Sequence, residues 1–217
     1  DYEDLMRRAK NYRYLYNPKT KLFQARNADG SWAGEHSGFT EGANWTYQFC
    51  VMQDVQGLID LMGGDESFAA ALDNVFDNGH YRHDNEPGHH YVYLYNYCGR
   101  FDKAQERIPE ILDTHYRNGA DGLSGNDDCG QMSAWYLFSS LGFYPVTPAS
   151  GEYALGIPRF PSARVELPHG KVLTVRAEGL KEHKHLPVIL FNGKKLDAPF
   201  IDIRDLMKGG VLEFKAE

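Results

Sequence analysis

The stretch Gly125-Asn126-Asp127-Asp128-Cys129-Gly130-Gln131-Met132-Ser133-Ala134-Trp135 joins an acidic, glycine-rich loop to an apolar segment that continues to Leu141. Apolar residues three and four positions apart predict a helix over residues 130–141. The glycines leave the backbone beside the paired carboxylates unobstructed, so a ligand can approach them closely. This stretch therefore predicts a polar site at the beginning of a helix.

The same order of polar loop and helix extends through residues 1–147. Apolar periodicity predicts further helices over residues 4–16, 45–62, 68–76, 91–97 and 102–116. Asp65 or Ser67 is the expected cap of the third of these. Polar loops at residues 27–40 and 77–90 lie between them. This part of the chain is predicted to be mainly α.

The pattern changes after Pro148, where short β-rich runs replace helical periodicity. Strands are predicted over residues 164–167, 172–177, 188–191 and 212–215, with turn signals at His169-Gly170, Asn192-Gly193 and Gly209-Gly210. Neighbouring strands joined by short turns pair antiparallel. We therefore predict a helical part, residues 1–147, followed by an antiparallel β region, residues 148–217.

Composition excludes several classes of protein. The chain has 217 residues, of which 42% are apolar and 24% charged, so disorder and a coiled coil are disfavoured. Its 23 Lys and Arg against 30 Asp and Glu give a net charge of −7, which argues against nucleic acid or an anionic membrane as a partner. No segment approaches the roughly 18 apolar residues of a membrane span. The first residues lie within a predicted helix, which indicates a piece of something longer.

Cysteine and aromatic usage give weaker signals. Cys50, Cys98 and Cys129 form no Cys-x-x-Cys pair and are predicted to be buried free thiols, which leaves the compartment undecided. Aromatic residues make up 13% of the chain, and many lie beside acids and amides. Such mixtures stack on sugars and bind their hydroxyls, although core packing is the better explanation for any single ring.

The first candidate loop places Glu41 beside Gly42 and Trp45, just before a predicted helix. A carboxyl against an indole is desolvated, so its pKa would rise and it could donate a proton near neutral pH. The alternative, which this segment alone favours, is an acid at a helix N-terminus stabilised by the helix dipole.

The second candidate loop is Asn85-Glu86-Pro87-Gly88-His89-His90. Asn, Glu and backbone carbonyls at a Pro-Gly turn are hard oxygen ligands, which suit calcium better than zinc. His89 and His90 are adjacent and point apart on a helix, so they are poorly placed to bind one metal. A structural turn in which one histidine is a hydrogen-bonded core residue is an equally good interpretation.

The third candidate loop offers Asp127 or Asp128 as a general base for water. An acidic surface turn with Asp128 as a helix N-cap is the alternative. Together the loops supply one acid, one base and a hard-metal pocket, which are the groups of inverting glycoside hydrolysis. That reaction needs carboxyl groups roughly 6.5 to 9.5 Å apart, a distance that the sequence does not define.

These loops, with the runs Phe39-Thr40-Glu41-Gly42, Asp54-Val55-Gln56-Gly57-Leu58 and Phe138-Ser139-Ser140-Leu141-Gly142-Phe143-Tyr144-Pro145, resemble the C-terminal part of glycoside hydrolase family 92. Members of that family are calcium-dependent, inverting, exo-acting α-mannosidases. The resemblance covers nearly the whole chain, and residues 125–135 are its most specific part. It implies the later helices of an (α/α)6 barrel followed by antiparallel strands.

The resemblance implies that Glu41 is the general acid and Asp128 the general base, with Asp127 as a close alternative. Asn126 occupies the position two before Asp128, where some members have Asp, so a pair of carboxylate bases is not expected here. Asn44-Trp45-Thr46 also matches a glycosylation acceptor, which we interpret as unused because a glycan there would block the acid.

The resemblance also implies a calcium ion beneath the sugar, bridging its 2- and 3-hydroxyls. The expected metal-binding residues are Asn85, Glu86 and Asp128, partly through carbonyls or waters. The predicted sugar contacts are Trp45, His89 and His90.

At this length the chain is expected to pack against a missing N-terminal β-sandwich and the rest of the barrel, and to be weakly active or inactive alone. The expected substrate is a mannose-containing glycan, with an α-1,2 linkage preferred. A non-catalytic remnant that binds carbohydrate or calcium is the second interpretation. Enzymes of this type are usually periplasmic or secreted, which is the expected location.

Overall fold

The computed structural model describes residues 1–34 and 36–216, which form two compact units divided between Arg82 and His83. The predicted change from helices to strands near residue 147 therefore lies inside the second unit. None of the helices in the described ranges is long and apolar enough to cross a membrane.

The first unit is built from short helices and one small hairpin. Its α-helices are α1 (Tyr2–Arg8), α2 (Asn44–Tyr47), α3 (Val55–Leu61) and α4 (Asp65–Asp77). The antiparallel hairpin consists of β1 (Tyr16–Asn17) and β2 (Leu22–Phe23), and 3-10 turns cover Asn11–Leu15 and Met52–Asp54. Its core contains Phe49, Leu58, Ile59, Phe68 and Leu72.

The predicted continuous helix over residues 45–62 is wrong, because α2 ends at Tyr47 and α3 begins only at Val55. Buried Gln48 explains the break: its Oε1 accepts a hydrogen bond from the Phe23 N–H at 2.9 Å, and its Nε2 donates to the Lys21 carbonyl at 3.2 Å. These bonds tie the segment after α2 to the hairpin. Apolar periodicity continues across the gap because both pieces face the same core.

The motif at residues 54–58 is explained by a structural contact. Asp54 Oδ2 accepts from the Tyr12 hydroxyl at 2.7 Å. Gly57 lies so close to this carboxylate that a Cβ there would be 2.3 Å from Asp54 Oδ2. Glycine is therefore required at the start of α3 for Asp54 to hold the N-terminal segment.

Two smaller predictions in the first unit also change. The helix predicted over residues 4–16 is α-helical only to Arg8 and continues as a 3-10 turn. The cap of α4 is Gly64, with φ of 92°, whereas Asp65 is the first helical residue. The Ser67 hydroxyl instead donates to the Met62 carbonyl at 2.7 Å.

The second unit combines helices with two sheets. Its helices are α5 (Phe101–His115), α6 (Gln131–Leu141) and α7 (Ile203–Leu206), with 3-10 segments at Glu86–Gly88 and Tyr91–Cys98. Its strands are β3 (Phe143–Tyr144), β4 (Glu152–Leu155), β5 (Ser162–Glu166), β6 (Val172–Ala177), β7 (Val188–Phe191), β8 (Lys194–Lys195), β9 (Phe200–Asp202) and β10 (Gly210–Lys215). The predicted order of helices followed by strands is confirmed.

The strands form sheets of order β5-β6-β10-β7-β8 and β3-β4-β9. Their pairs are antiparallel, as predicted, with one exception: β10 runs parallel to β6, so that Leu212 lies opposite Val175. The exception arises because β10 returns, after β7 to β9, to the open edge of β6.

Buried amides fasten the helices of this unit to its strands. Gln105 on α5 donates to the carbonyls of Gly156 and Leu186, both at 3.1 Å, and accepts from the Leu186 N–H at 2.9 Å. Asn96 donates to the Leu155 carbonyl at 2.7 Å. These bonds give buried backbone groups a side-chain partner, and they link the helical segments to the strands.

The three cysteines are free, as predicted. Cys98 is buried, but Cys50 is only half-buried and Cys129 is exposed. The prediction of burial is therefore wrong for Cys129, because its loop lies on the surface of the second unit.

Candidate active site

Asp127 holds the acidic loop onto α6. Its Oδ1 accepts from the Ser133 N–H and its Oδ2 from the Ser133 hydroxyl, both at 2.9 Å. Hydrogen bonds from Ser133 hold the pKa of Asp127 below its ordinary value. The carboxylate is thus engaged at the N-terminus of the helix, which disfavours the predicted use of Asp127 as an alternative base.

Asp128 is oriented differently. It is exposed, and no described residue donates a hydrogen bond to its carboxylate. Asp128, Cys129 and Gly130 have φ angles of 33°, 58° and 86°, so the chain makes a left-handed turn immediately before α6. Non-glycine residues adopt this conformation at a cost of roughly 1–2 kcal/mol each. The N-cap of α6 is Gly130, so the interpretation of Asp128 as that cap is wrong.

The Asn85–Gly88 turn presents oxygen atoms from a short 3-10 segment. Asn85 Oδ1 accepts from the Glu86 N–H at 3.1 Å, and the Asn85 carbonyl accepts from Gly88 at 3.2 Å. The Glu86 side chain is half-buried, and no described residue donates a hydrogen bond to its carboxylate. A partly desolvated carboxylate of this kind is suited to a cation.

The acidic loop and this turn are in direct backbone contact. A Cβ built on Gly125 would lie 2.2 Å from the Asp84 carbonyl oxygen and 2.8 Å from its Cα. No side chain fits in this gap, so glycine is required for the two loops to meet. The contact brings the segment carrying Asp128 against the segment carrying Glu86.

Buried histidines support this junction. His83 is 1% exposed, and its Nε2 donates to the Tyr116 hydroxyl at 2.7 Å, which in turn donates to the Met132 carbonyl at 3.0 Å. Burial, with the nearby imidazole of His89, lowers the pKa of His83 to about 2. Its ring contacts the edge of Trp135 with centroids 4.4 Å apart. His83 is therefore a neutral core residue.

His89 is held by the same cluster. It is 1% exposed, its Nε2 lies 3.0 Å from the His83 carbonyl, and its own carbonyl accepts from Trp135 Nε1 at 2.8 Å. Its Nδ1 lies 3.2 Å from Gln131 Nε2. Both ring nitrogens are thus engaged, so we revise the predicted sugar contact at His89 to a supporting role. His90 is also buried, and its contact with sugar stays a prediction.

The loop with the predicted acid lies in the first unit. Glu41 is exposed with φ of 60°, and α2 begins only at Asn44, so Glu41 is neither a cap nor a first-turn acid. The expected burial against an indole is not found, because the Trp45 ring stacks on His80 at 4.4 Å. Asn44 is completely buried, which supports the interpretation that its glycosylation motif is unused.

The comparison with known families decides the classification. The family model "Glycosyl hydrolase family 92 catalytic domain" matches residues 1–217. The chain belongs to glycosyl hydrolase family 92.

Individual family 92 proteins show the same likeness. The α-mannosidase BT3965 from Bacteroides thetaiotaomicron superimposes with a TM-score of 0.92 at 38% identity, over 99% of this chain and 30% of that one. The inverting mannosidase BT2199 from the same organism gives 0.89 at 33% identity, over 98% of this chain and 33% of that one. An uncharacterized secreted glycosidase from Arthroderma benhamiae is 30% identical over 80% of this chain and 23% of its own length. The chain thus spans a third or less of these relatives.

The possible metal ligands where the acidic loop meets the Asn85–Gly88 turn suit calcium better than zinc. In residues 1–34 and 36–216, no three His, Cys, Asp or Glu side chains form a group that could hold a metal. A cation here would need carbonyl, amide and water oxygens besides Glu86. Calcium accepts six to eight such ligands, whereas structural zinc sites use several His or Cys side chains. Glu86 and Asn85 offer oxygen atoms of the kind that calcium accepts, and they are the residues that we propose for it below.

Sequence reasoning missed the residues that support the site. His83 carries no local signal, and Tyr144 stands in a family motif that does not reveal its partner, because both roles depend on contacts with distant parts of the chain. Gln131 stands in the specific motif, but its partners His89 and Tyr144 are visible only in the fold.

Proposed function

We propose that this family 92 chain carries the catalytic residues of a glycosidase that removes terminal α-linked mannose with inversion and with the help of calcium. The contact of Gly125 with Asp84 is the main support, because it brings the loop of Asp128 against the turn of Glu86. Neither of these two carboxylates accepts a hydrogen bond from a described residue. Among its relatives, BT3965 is an α-mannosidase and BT2199 is an inverting mannosidase, which supports the proposed substrate and stereochemistry. A further match is BT3965 in complex with mannoimidazole, at a TM-score of 0.89.

Two carboxyl groups would share the proton transfers. Asp128 takes a proton from a water molecule whose oxygen attacks the anomeric carbon. Glu41 gives its proton to the glycosidic oxygen as the bond from that carbon to the leaving group breaks. One bond forms on the face opposite to the one that breaks, so the α-linkage yields β-mannose. Asn126 is exposed beside Asp128, but its neutral amide cannot take a proton from water as a carboxylate base does.

Glu86 and the oxygen atoms of Asn85 would hold calcium, with Asp128 nearby. When bound, the ion supplies positive charge that orients sugar hydroxyls. Asn85 Oδ1 already accepts one hydrogen bond, and an amide oxygen has a second lone pair for a cation. Trp45 and His90 remain proposed sugar contacts.

The exposed apolar residues of the first unit support the proposal that it packs against further chain, such as the rest of a barrel or a β-sandwich. Helix α1 has no buried residue, and Tyr2, Leu5 and Met6 are 74%, 59% and 47% exposed. An apolar helix face this open ordinarily packs against another surface. We propose α-1,2-mannosides as substrates and a periplasmic or secreted location, in line with the secreted relative.

The test uses the longest natural form of the protein that contains these residues. Glu41→Gln is expected to abolish hydrolysis of α-1,2-mannobiose and to leave calcium binding, measured by calorimetry, unchanged. Glu66→Gln, at an exposed site on α4, is the matched control and should be fully active. Mannose binding without hydrolysis by the wild type would instead support a non-catalytic remnant.

A further inference from the structure

Gln131, the first residue of α6, lies between the acidic loop and the buried pair His83 and His89. Its N–H donates to the carbonyl of Asp127 at 2.7 Å and lies 3.2 Å from that of Asp128. Its side-chain Nε2 contacts His89 Nδ1 at 3.2 Å and the Tyr144 hydroxyl at 2.9 Å. We propose that Gln131 is a substrate-binding residue whose amide oxygen accepts a hydrogen bond from one hydroxyl of the mannose. This rests on the proposed function.

The hydrogen bonds determine which way the amide faces. A carbonyl oxygen only accepts, so the His83 carbonyl requires a proton on His89 Nε2. His89 is buried, where a charged imidazole is costly, so with its one proton on Nε2 the ring has only a lone pair on Nδ1. Gln131 must therefore turn its NH₂ group to His89, since an oxygen there would meet that lone pair. Its two N–H groups go to His89 and Tyr144.

The amide oxygen is left as an accessible acceptor. Gln131 is half-buried, and no described residue donates a hydrogen bond to its Oε1. This oxygen is also not among the fully buried polar atoms without a partner, so solvent can reach it. An acceptor that is fixed in direction and lacks a protein donor is arranged for a ligand hydroxyl.

The surrounding network also keeps its protonation state. Burial raises the pKa of Tyr144 to about 12, and the negative charge of Glu86 contributes to this shift. Tyr144 thus stays protonated. The backbone N–H of His89 donates to the Glu86 carbonyl at 3.0 Å, and the side chain of the same histidine lies 3.2 Å from Gln131 Nε2. Gln131 therefore contacts a residue that is hydrogen-bonded to the turn proposed for calcium.

The test is a thermodynamic cycle in which one change is Gln131→Leu in the protein and the other is the removal of one hydroxyl from the substrate. In the longest natural form of the protein, kcat/KM for α-1,2-mannobiose should fall roughly tenfold to hundredfold in the variant. The same comparison is made with mannobioses deoxygenated singly on the non-reducing ring. For one of these, wild type and variant should become nearly equal, because the partner of Oε1 is gone. Gln56→Leu, at an exposed position on α3, is the matched control.

Several outcomes would overturn this inference. An equal loss for every deoxygenated substrate would mean that Gln131 only supports the fold. A weaker calcium affinity with an equal loss would make Gln131 a metal ligand instead. If the wild type binds mannose without hydrolysing it, the proposed function fails, and the same cycle on binding constants of monodeoxymannoses decides the inference: an equal loss for every sugar overturns it, and a loss that disappears for one sugar supports it. No mannose binding at all would overturn both proposals.

Discussion

Replacing Gly125 by alanine tests whether the contact between the acidic loop and the Asp84–Gly88 segment matters. The added Cβ would lie 2.2 Å from the Asp84 carbonyl oxygen, whereas close carbon–oxygen contacts are about 3.3 Å, so the loops must separate by roughly 1 Å. A displacement of that size in an active site costs about a hundredfold in rate, or about 2.7 kcal/mol of transition-state stabilisation. The backbone at Gly125 is not left-handed, so alanine is disfavoured by this contact alone.

The assay measures kcat/KM for α-1,2-mannobiose and the calcium dissociation constant. In Gly125→Ala, kcat/KM should fall and the dissociation constant should rise. Gly119→Ala is the matched control, because its Cβ would meet only Asp121 Oδ1, at 3.2 Å, on an exposed side chain that can move. A folded Gly125→Ala variant with wild-type kcat/KM would show that this contact does not position the active site, and an equal loss in the control would show that the effect is not specific to Gly125.

The remaining predictions concern stability and the division of labour between the two aspartates. Asp127→Asn should lower the melting temperature by a few degrees, because the two hydrogen bonds from Ser133 at the start of α6 are weakened. Asp128→Asn should keep the melting temperature and lose hydrolysis, and the reverse pattern would exchange the roles of the two aspartates. Stability should also fall with pH below about 6.5, because buried His83, with a pKa of about 2, stays neutral when folded and binds a proton when unfolded. The contribution of His83 is fully present above pH 6.5 and amounts to about 2 kcal/mol of the difference between urea unfolding at pH 7.0 and at pH 5.0. His83→Gln should reduce that difference, whereas His89 and His115, whose pKa values are also lowered by burial, should keep the rest. Gln105→Leu should cost about 1–3 kcal/mol in the same unfolding assay, because it leaves buried backbone groups of Gly156 and Leu186 unpaired, and no change would contradict this account.

The long helices and the late strands could be predicted because their residues face a core with regular periodicity. Helix α6 begins within one residue of its prediction, after Gly130, since glycine and apolar spacing are both local signals. The break between α2 and α3 could not be predicted, because Gln48 is tied to Phe23, which lies far away in the sequence. The parallel pairing of β10 with β6 is a non-local choice of the same kind.

The candidate site was predictable in its residue types but not in its division of roles. Asp127 and Asp128 look equivalent in the sequence, and only the bonds to Ser133 separate them. The adjacent histidines suggested contact with a ligand, yet His89 is fixed in the core by a carbonyl and by Gln131. Such roles depend on which groups the fold brings together, and no local pattern records that.

The most direct measurement of the central claim is time-resolved proton NMR of α-1,2-mannobiose with the longest natural form of the protein, with and without a calcium chelator. An inverting enzyme that depends on calcium releases β-mannose first, loses this release when the chelator is present, and regains it when calcium is added. The initial appearance of α-mannose, hydrolysis that the chelator leaves unchanged, or no hydrolysis with calcium present would contradict the proposed function.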